Sequence, residues 1–489
     1  MVGKLAWGGG PEWSYVMVGC CANWKFDAGR LTARWPMCGL LLITLTLWAG
    51  CTDPFLTHRK TLEALYVQGR FDQAAAVMDS PEGQSVYGDR NRLLYWLDRG
   101  SVALAENQPA LAISNLEKAE GYMEVRREPT AGDEIGKWLI NDTAAAYFGE
   151  PYEEQYVNVL KLLAQLENGN IEGGATVEAR RMAGKADVLR GKYLRAIGEV
   201  NKKGTSEVRG YSPPSLGDRY NSTGGEFVES TLGAYLSAVT FMKAGDASAQ
   251  DVAARRLLTD IEAQRGLIGP VRAEDFASLA DMRAGEANTL IVALSGRGPT
   301  KEAVRFGPIP LYTYTVYFEL PELRGGSAEA ARARVVIDNG TIAPQELSFI
   351  EDLRAVATEN HKRQLPLIYA RSYIRSSLKA ATVAIATEAA RKGRGGKNDT
   401  QAVIEIAGII GGLLFVSQTE KADLRCWTFL PGQAHVGLLN LPPGEHTVRV
   451  EYLSGGGGVL YSSPPRTVRV GATGTGTNEL NTIVEHFWR

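Results

Sequence analysis

The chain has 489 residues, with 53 Lys and Arg against 55 Asp and Glu, and a net charge of −2. That balance excludes a protein held to nucleic acid by its net charge. The length allows two or three domains with cores of their own, and the five cysteines and five histidines show no CxxC or HExxH spacing for zinc.

Residues 1–29 contain Trp7, Trp13, Cys20, Cys21 and Trp24 without periodicity. They read as an upstream start-site artefact or a long n-region, outside the fold. Arg30 and Arg34 then flank an apolar run, Leu40 to Trp48, that ends in Ala49-Gly50-Cys51. The run falls short of the roughly 20 residues that span a bilayer. Charge, short apolar core, small residues and cysteine, in that order, resemble a bacterial lipoprotein signal, although Trp48 stands where an aliphatic residue is usual. The resemblance implies lipid attachment at Cys51. With Thr52 rather than Asp following, it also implies an outer-membrane location on the periplasmic face. Residues 1–50 are therefore the signal region, and only Cys51 and Cys426 remain after processing, so no internal disulfide is expected.

From about 57 to 200, apolar residues recur at three- and four-residue steps, the helical period. Two segments follow the tetratricopeptide pattern of paired helices with fixed small and aromatic positions. The first has Leu62, Leu65, Gly69, Phe71, Ala74 and Met78. The second has Gly100, Ala103, Asn107, Ala112, Leu116 and Ala119. A third hairpin follows Pro151 and turns at Gly169, and a fourth turns at Gly245-Asp246. Between them, 201–226 is rich in Gly, Ser, Pro and Asn and reads as a long loop. Residues 51–285 are thus expected to form a tetratricopeptide-like α-solenoid. Its inner face, built by the first helix of each hairpin, carries Tyr66, Trp96 and Tyr156 as candidate partner contacts.

The pattern then changes. NTLIVAL (288–294), PIPLYTYTVYFE (308–319) and ARVVID (333–338) are β-rich runs bounded by Gly and Pro. Between the first two, GRGPTK (296–301) suggests a phosphate loop, but Pro299 removes an N–H and the GxxxxGK[ST] spacing is absent. A strand-connecting turn with an exposed Lys301 is the expectation. Residues 345–418 read as a helical insertion, and Arg371, Arg375 and Lys379 lie on one helix face at i, i+4 and i+8, a candidate anion-binding face. AVIEIAGIIGGLLFV (402–416) contains Glu405 and is short for a span, so a buried helix is expected. After 420, WTFLP, HVGLLNLPPG, HTVRVEYL and RTVRV alternate like a small β-sandwich. Asp423, Arg425 and Trp427 read as a structural ion pair beside a buried ring. The expected class is α+β: a helical domain at 51–285 and an α+β domain with β-sandwich elements at 286–489.

Taken together, Pro151-Tyr152-Glu153, Glu178-Ala179-Arg180-Arg181, Gly296 to Lys301, Arg371, Arg375 and Lys379, and Ala422 to Trp427 with Leu430-Pro431 resemble a family of bacterial lipoproteins with tetratricopeptide-like helices. The resemblance covers nearly all of 51–489. It implies an exported, lipid-anchored architecture and supplies no activity; Lys301, Asp423, Arg425 and Trp427 are its signature residues without an assigned role. No Gly-x-Ser-x-Gly, paired catalytic carboxylate or metal motif appears. The expected function is a non-enzymatic, cofactor-free scaffold, lipid-anchored in the envelope, that binds a protein partner. The alternative is a glycan- or lipid-headgroup-binding lipoprotein using the 371–379 face.

Overall fold

The structure, a computed structural model, describes residues 54–125, 145–207, 226–311, 314–392, 421–471 and 479–489. Cys51, the signal region, most of the 201–226 loop and the 402–416 run lie outside the described residues.

The helical period produces α1 (Pro54–Val67), α2 (Phe71–Asp79), α3 (Pro81–Tyr87), α4 (Arg92–Ala105) and α5 (Pro109–Val125). After them come α6 (Pro151–Glu167), a π turn (Ile171–Ala175), α7 (Thr176–Met182), α8 (Lys185–Glu207), α9 (Thr231–Ala244) and α10 (Ala247–Ala263). The expected turns fall between the paired helices. Gly245 closes α9 at φ +73°, a left-handed conformation that costs glycine nothing. Helices adjacent in the chain pack together, α4 on α5, α5 on α6 and α9 on α10, while α2 also packs on α4 and α7 on α9. Helix α9 is buried on every side, from Thr231 to Lys243 apart from Ala234. The helical period also continues into the expected loop, because α8 runs on to Glu207.

The crossing of α4 and α5 is close. A Cβ added at Gly100 would lie 2.8 Å from the Leu116 side chain, and Ala112 is fully buried beside it. Ala112→Leu should therefore cost about 1–3 kcal/mol by overpacking. Unchanged chemical-denaturation midpoints would show that the two helices do not meet there.

Ten strands follow: β1 (Thr289–Ser295), β2 (Thr300–Leu311), β3 (Tyr314–Arg324), β4 (Arg332–Ile337), β5 (Ile342–Asp352), β6 (Gln433–Leu439), β7 (Gly444–Leu453), β8 (Val459–Ser462), β9 (Arg466–Val470) and β10 (Asn481–Phe487). Eight of them form one sheet in the order β10-β1-β6-β5-β4-β7-β8, with β9 also on β7. The β1–β10 pair is parallel, and the remaining pairs are antiparallel. Helix α11 (Leu353–Lys392) enters between β5 and the later strands.

The sheet is curled. Five strand intervals separate β10 from β7 along the sheet, about 24 Å if it were flat. Yet the Tyr452 hydroxyl of β7 donates to the Glu485 carbonyl of β10 at 2.8 Å. Arg466 of β9 reaches the Val484 carbonyl and the Glu485 carboxylate, each at 2.6 Å. The two faces of the curl bury different cores. On β1, Leu290, Val292 and Leu294 join the helices, while Ile291 and Ala293 join Val335, Val450, Tyr452 and Phe487 inside the curl. This alternation places β1 in two cores at once and leaves all seven of its residues buried.

The mixed α+β class stands, and several expectations within it are corrected. The C-terminal strands belong to the one curled sheet and build no separate small sandwich. PIPLYTYTVYFE is two strands of the β2–β3 hairpin, not one. Residues 345–352, expected in the helical insertion, complete β5. WTFLP is not a strand, because it lacks a ladder partner. Residues 286–489 hold one core of their own inside the curl but share the other: one apolar cluster runs from Phe55 and Leu62 through Leu290 and Val436 to Trp488, across the expected boundary at 285. Residues 54–489 form one compact unit.

Candidate functional site

The most chemically dense region is the seam where residues 421–432 cross the helices on their way to β6. This strap is neither helix nor strand, and Arg425 to Gly432 are all buried. Buried main-chain N–H groups without a ladder need other acceptors, and helix side chains supply them. The Trp427 N–H donates to Glu153 Oε1 at 2.6 Å, and the Thr428 N–H to Asp98 Oδ1 at 2.8 Å. The Thr428 hydroxyl donates to Asp98 Oδ2 at 3.1 Å, and the Trp427 indole to the Ser101 hydroxyl at 3.0 Å. Arg425 is clamped to Asp423 at 2.6 Å and donates to Asn91 Oδ1 and the Ala145 carbonyl, both at 3.1 Å. Phe429 stacks on Tyr66 with ring centroids 4.6 Å apart, and Trp488 leans on both rings.

Local sequence explains how Glu153 comes to be there. Pro151 opens α6, Glu150 is its N-cap, and Glu153 closes a capping box by accepting the Glu150 N–H at 2.9 Å. The hydroxyls of Tyr147 (2.8 Å) and Tyr152 (3.2 Å) also donate to it. Burial nevertheless raises the Glu153 carboxyl above its ordinary range. Burial likewise pushes Asp98 up to about 7, against the Thr428 and Tyr87 hydrogen bonds. For Glu150, burial acts upward too, but Lys301 and His361 outweigh it and hold the carboxyl well below the carboxylate range.

Lys301 is therefore not the exposed turn residue that was expected. It opens β2, is 5% exposed, and forms an ion pair with Glu150. His361 Nδ1 approaches the other Glu150 oxygen at 3.4 Å. The glycine turn before Lys301 is committed to protein contacts. Arg297 and Gly298 donate their N–H groups to the Ser327 and Leu430 carbonyls at 2.7 Å. A Cβ at Gly296, where φ is +74°, would lie 1.9 Å from the Ser327 carbonyl oxygen. These N–H groups point at carbonyls rather than into an anion cradle, which removes the physical basis of a phosphate loop.

The structure brings the four signature residues together. Lys301 and Arg425 lie 5.5 and 5.4 Å from the Tyr147 ring centroid, Asp423 pairs with Arg425, and Trp427 is 2% exposed. The candidate partner contacts fare differently. Tyr66 and Tyr156 are fully buried and engaged by the chain's own C-terminal half: Tyr66 by Phe429, Tyr156 by Glu351 of β5, to which its hydroxyl donates at 2.5 Å. They are core residues and not an open binding face. Trp96 is partly exposed, edge-on to Tyr122. The candidate anion-binding face is corrected as well. Arg371 keeps partial exposure, but Arg375 and Lys379 are 6% and 4% exposed, so the three do not form one solvated face.

Sequence reasoning missed Asp98, Tyr147, Glu153 and Glu351. Only Glu153 had a local signal, the Glu150-Pro151-x-Glu153 helix start. Glu351 accepts from Tyr156, from the Ser230 hydroxyl at 2.6 Å and from the Leu232 N–H at 2.8 Å. Inside the helical layer, Lys161 lies 2.6 Å from Glu120 and 2.9 Å from Glu178, and Arg181 pairs with both acids. Glu178 and Arg181 of α7 thus form salt bridges to other helices, with Lys161 of α6 and Glu120 of α5. Chemically, the seam is a lock: Glu153, Asp98 and Glu150 each take at least one donor from the C-terminal half of the chain, and Glu153 and Asp98 take others from the helices themselves. Among the described residues, no group of His, Cys, Asp and Glu is placed to hold a metal ion. No protein-family model, curated protein or solved structure matches the chain.

Proposed function

We propose that the protein is a lipid-anchored scaffold of the bacterial cell envelope whose helical layer binds extended protein segments. The observation that carries this reading is the strap. The layer covers eight consecutive buried residues of irregular chain, taking main-chain N–H groups with Glu153 and Asp98 and seating aromatic side chains on Tyr66 and Ser101. That is the chemistry by which a helical scaffold recognises a peptide. The paired helices, their chain-order packing and the close crossing at Gly100 support a tetratricopeptide-like reading of the layer. The strap occupies the seam, so a partner meets the layer outside it, where Trp96 is the partly exposed member of the three candidate aromatics. The apolar run ending in Ala49-Gly50-Cys51 supports the anchor.

The test is capture from membrane extract with the processed protein. Intact-mass analysis should show a diacylated or triacylated Cys51, and Cys51→Ser should leave the membrane or remain unprocessed. Trp96→Ala should keep the melting temperature and lose the captured partner. A mature terminus elsewhere than Cys51 removes the anchor. Capture of a glycan or lipid with no protein removes the scaffold reading.

A further inference from the structure

Resting on the envelope reading, we infer that the outer face of α8 is a second membrane contact, a cationic surface that lies on anionic phospholipid. Of the eight Lys and Arg in residues 180–203, Arg180, Arg181, Lys185 and Lys192 are held by acids and Lys203 is buried, which leaves Arg190, Arg195 and Lys202 exposed, with Asp187 and Glu199 as acids in the same stretch. One side of α8 is committed: Leu189, Tyr193 and Val200 pack on Leu367, Ala370 and Ile374 of α11. The opposite side exposes Arg190, Arg195 and Lys202, and with them Val188 and Leu194, each 52% exposed. Cations interspersed with outward apolar side chains are the composition of a helix that rests in the headgroup layer. Among the residues of this helix whose side chains are described, Asp187 and Glu199 are the exposed acids. Lys192 and Lys185 are already paired with Glu154.

One further observation favours a lipid surface over an acidic protein. Only Thr52 and Asp53 separate Cys51 from the start of α1, a tether of about 10 Å. An anchored body is thereby held near the screening length of about 8 Å, within which surface charge acts.

The experiment uses the processed, lipidated protein carrying Leu194→Cys, labelled with an environment-sensitive fluorophore; Cys426 is buried and stays unlabelled. It is reconstituted into phosphatidylcholine vesicles with or without phosphatidylglycerol, each containing a headgroup quencher. Arg469→Cys, on β9, is the reference site. Quenching at position 194 should exceed that at 469 only with phosphatidylglycerol, and should vanish in high salt. Each surface cation contributes about a factor of five. The triple variant Arg190→Glu, Arg195→Glu, Lys202→Glu should therefore weaken face-down docking by on the order of 100-fold, while the protein stays with the vesicles. Equal quenching at the two sites, indifference to phosphatidylglycerol, or an unaffected triple variant overturns the inference and leaves the anchor standing. If the triple variant instead loses a captured protein with quenching unchanged, the face is a protein surface and the inference fails. Protein that leaves the vesicles altogether overturns the anchor, and the inference with it.

Discussion

Lys301→Met should lower the unfolding free energy at pH 7 by about 3–5 kcal/mol, the cost of leaving one partner of a buried ion pair alone. Glu150 is the group left behind, with His361 as its remaining neighbour. The pH dependence has a definite sign. In the parent, the Glu150 carboxyl is held below its unfolded value of 4.5. It therefore contributes stability that is present above that value and lost as pH falls through the folded one. Without Lys301 that contribution disappears, so the difference between parent and variant should be large at pH 7 and shrink below about pH 4.5. Urea unfolding at the two pH values checks it. The double variant Lys301→Met, Glu150→Gln should recover much of the loss, since it removes the orphaned charge. Equal stability of parent and Lys301→Met at pH 7 would mean that Lys301 is solvated and that no buried ion pair closes the seam.

Trp427→Ala is expected to cost a similar amount, about 3–5 kcal/mol, because it empties a site walled by the helices and removes the indole donor from Ser101. Trp427→Phe separates the two contributions. It keeps a six-membered ring in the site and loses the hydrogen bond with a small part of the volume, so about 1–2 kcal/mol is expected. If alanine and phenylalanine cost the same, the ring is not packed in the seam. A loss confined to strap protection in hydrogen exchange, with the global midpoint unchanged, would show that residues 421–432 open independently of the core. Continuity of the core from Phe55 to Trp488 predicts instead that the whole unit loses stability together.

What could be read from the residues alone was local. Apolar spacing located the helices, Gly69, Asn107 and Gly245 marked their turns, and period-two runs located β1, β4, β6, β7 and β9. These signals live within a few residues, because a helix or strand writes its own geometry into neighbouring side chains. The reading that Asp423 and Arg425 pair beside a buried Trp427 also held, again because the pair is two residues apart.

The errors share one cause. Tyr66, Tyr156, Lys301, Arg375 and Lys379 were judged by the face of their own element, while their burial depends on distant segments. Tyr66 meets Phe429, Tyr156 meets Glu351, and Lys301 meets Glu150. A helix face that suits a partner protein and one that suits the chain's own strap carry the same residue types, since both need aromatic surface and acceptors for main-chain N–H groups. By itself, then, the sequence determined most of the helices and most of the strands. Only the tertiary structure decided what covers the inner face, where the strands close into one curled sheet, and which cations stay in water. Those outcomes rest on contacts between residues hundreds of positions apart, and periodicity encodes that a side chain is buried without encoding by what.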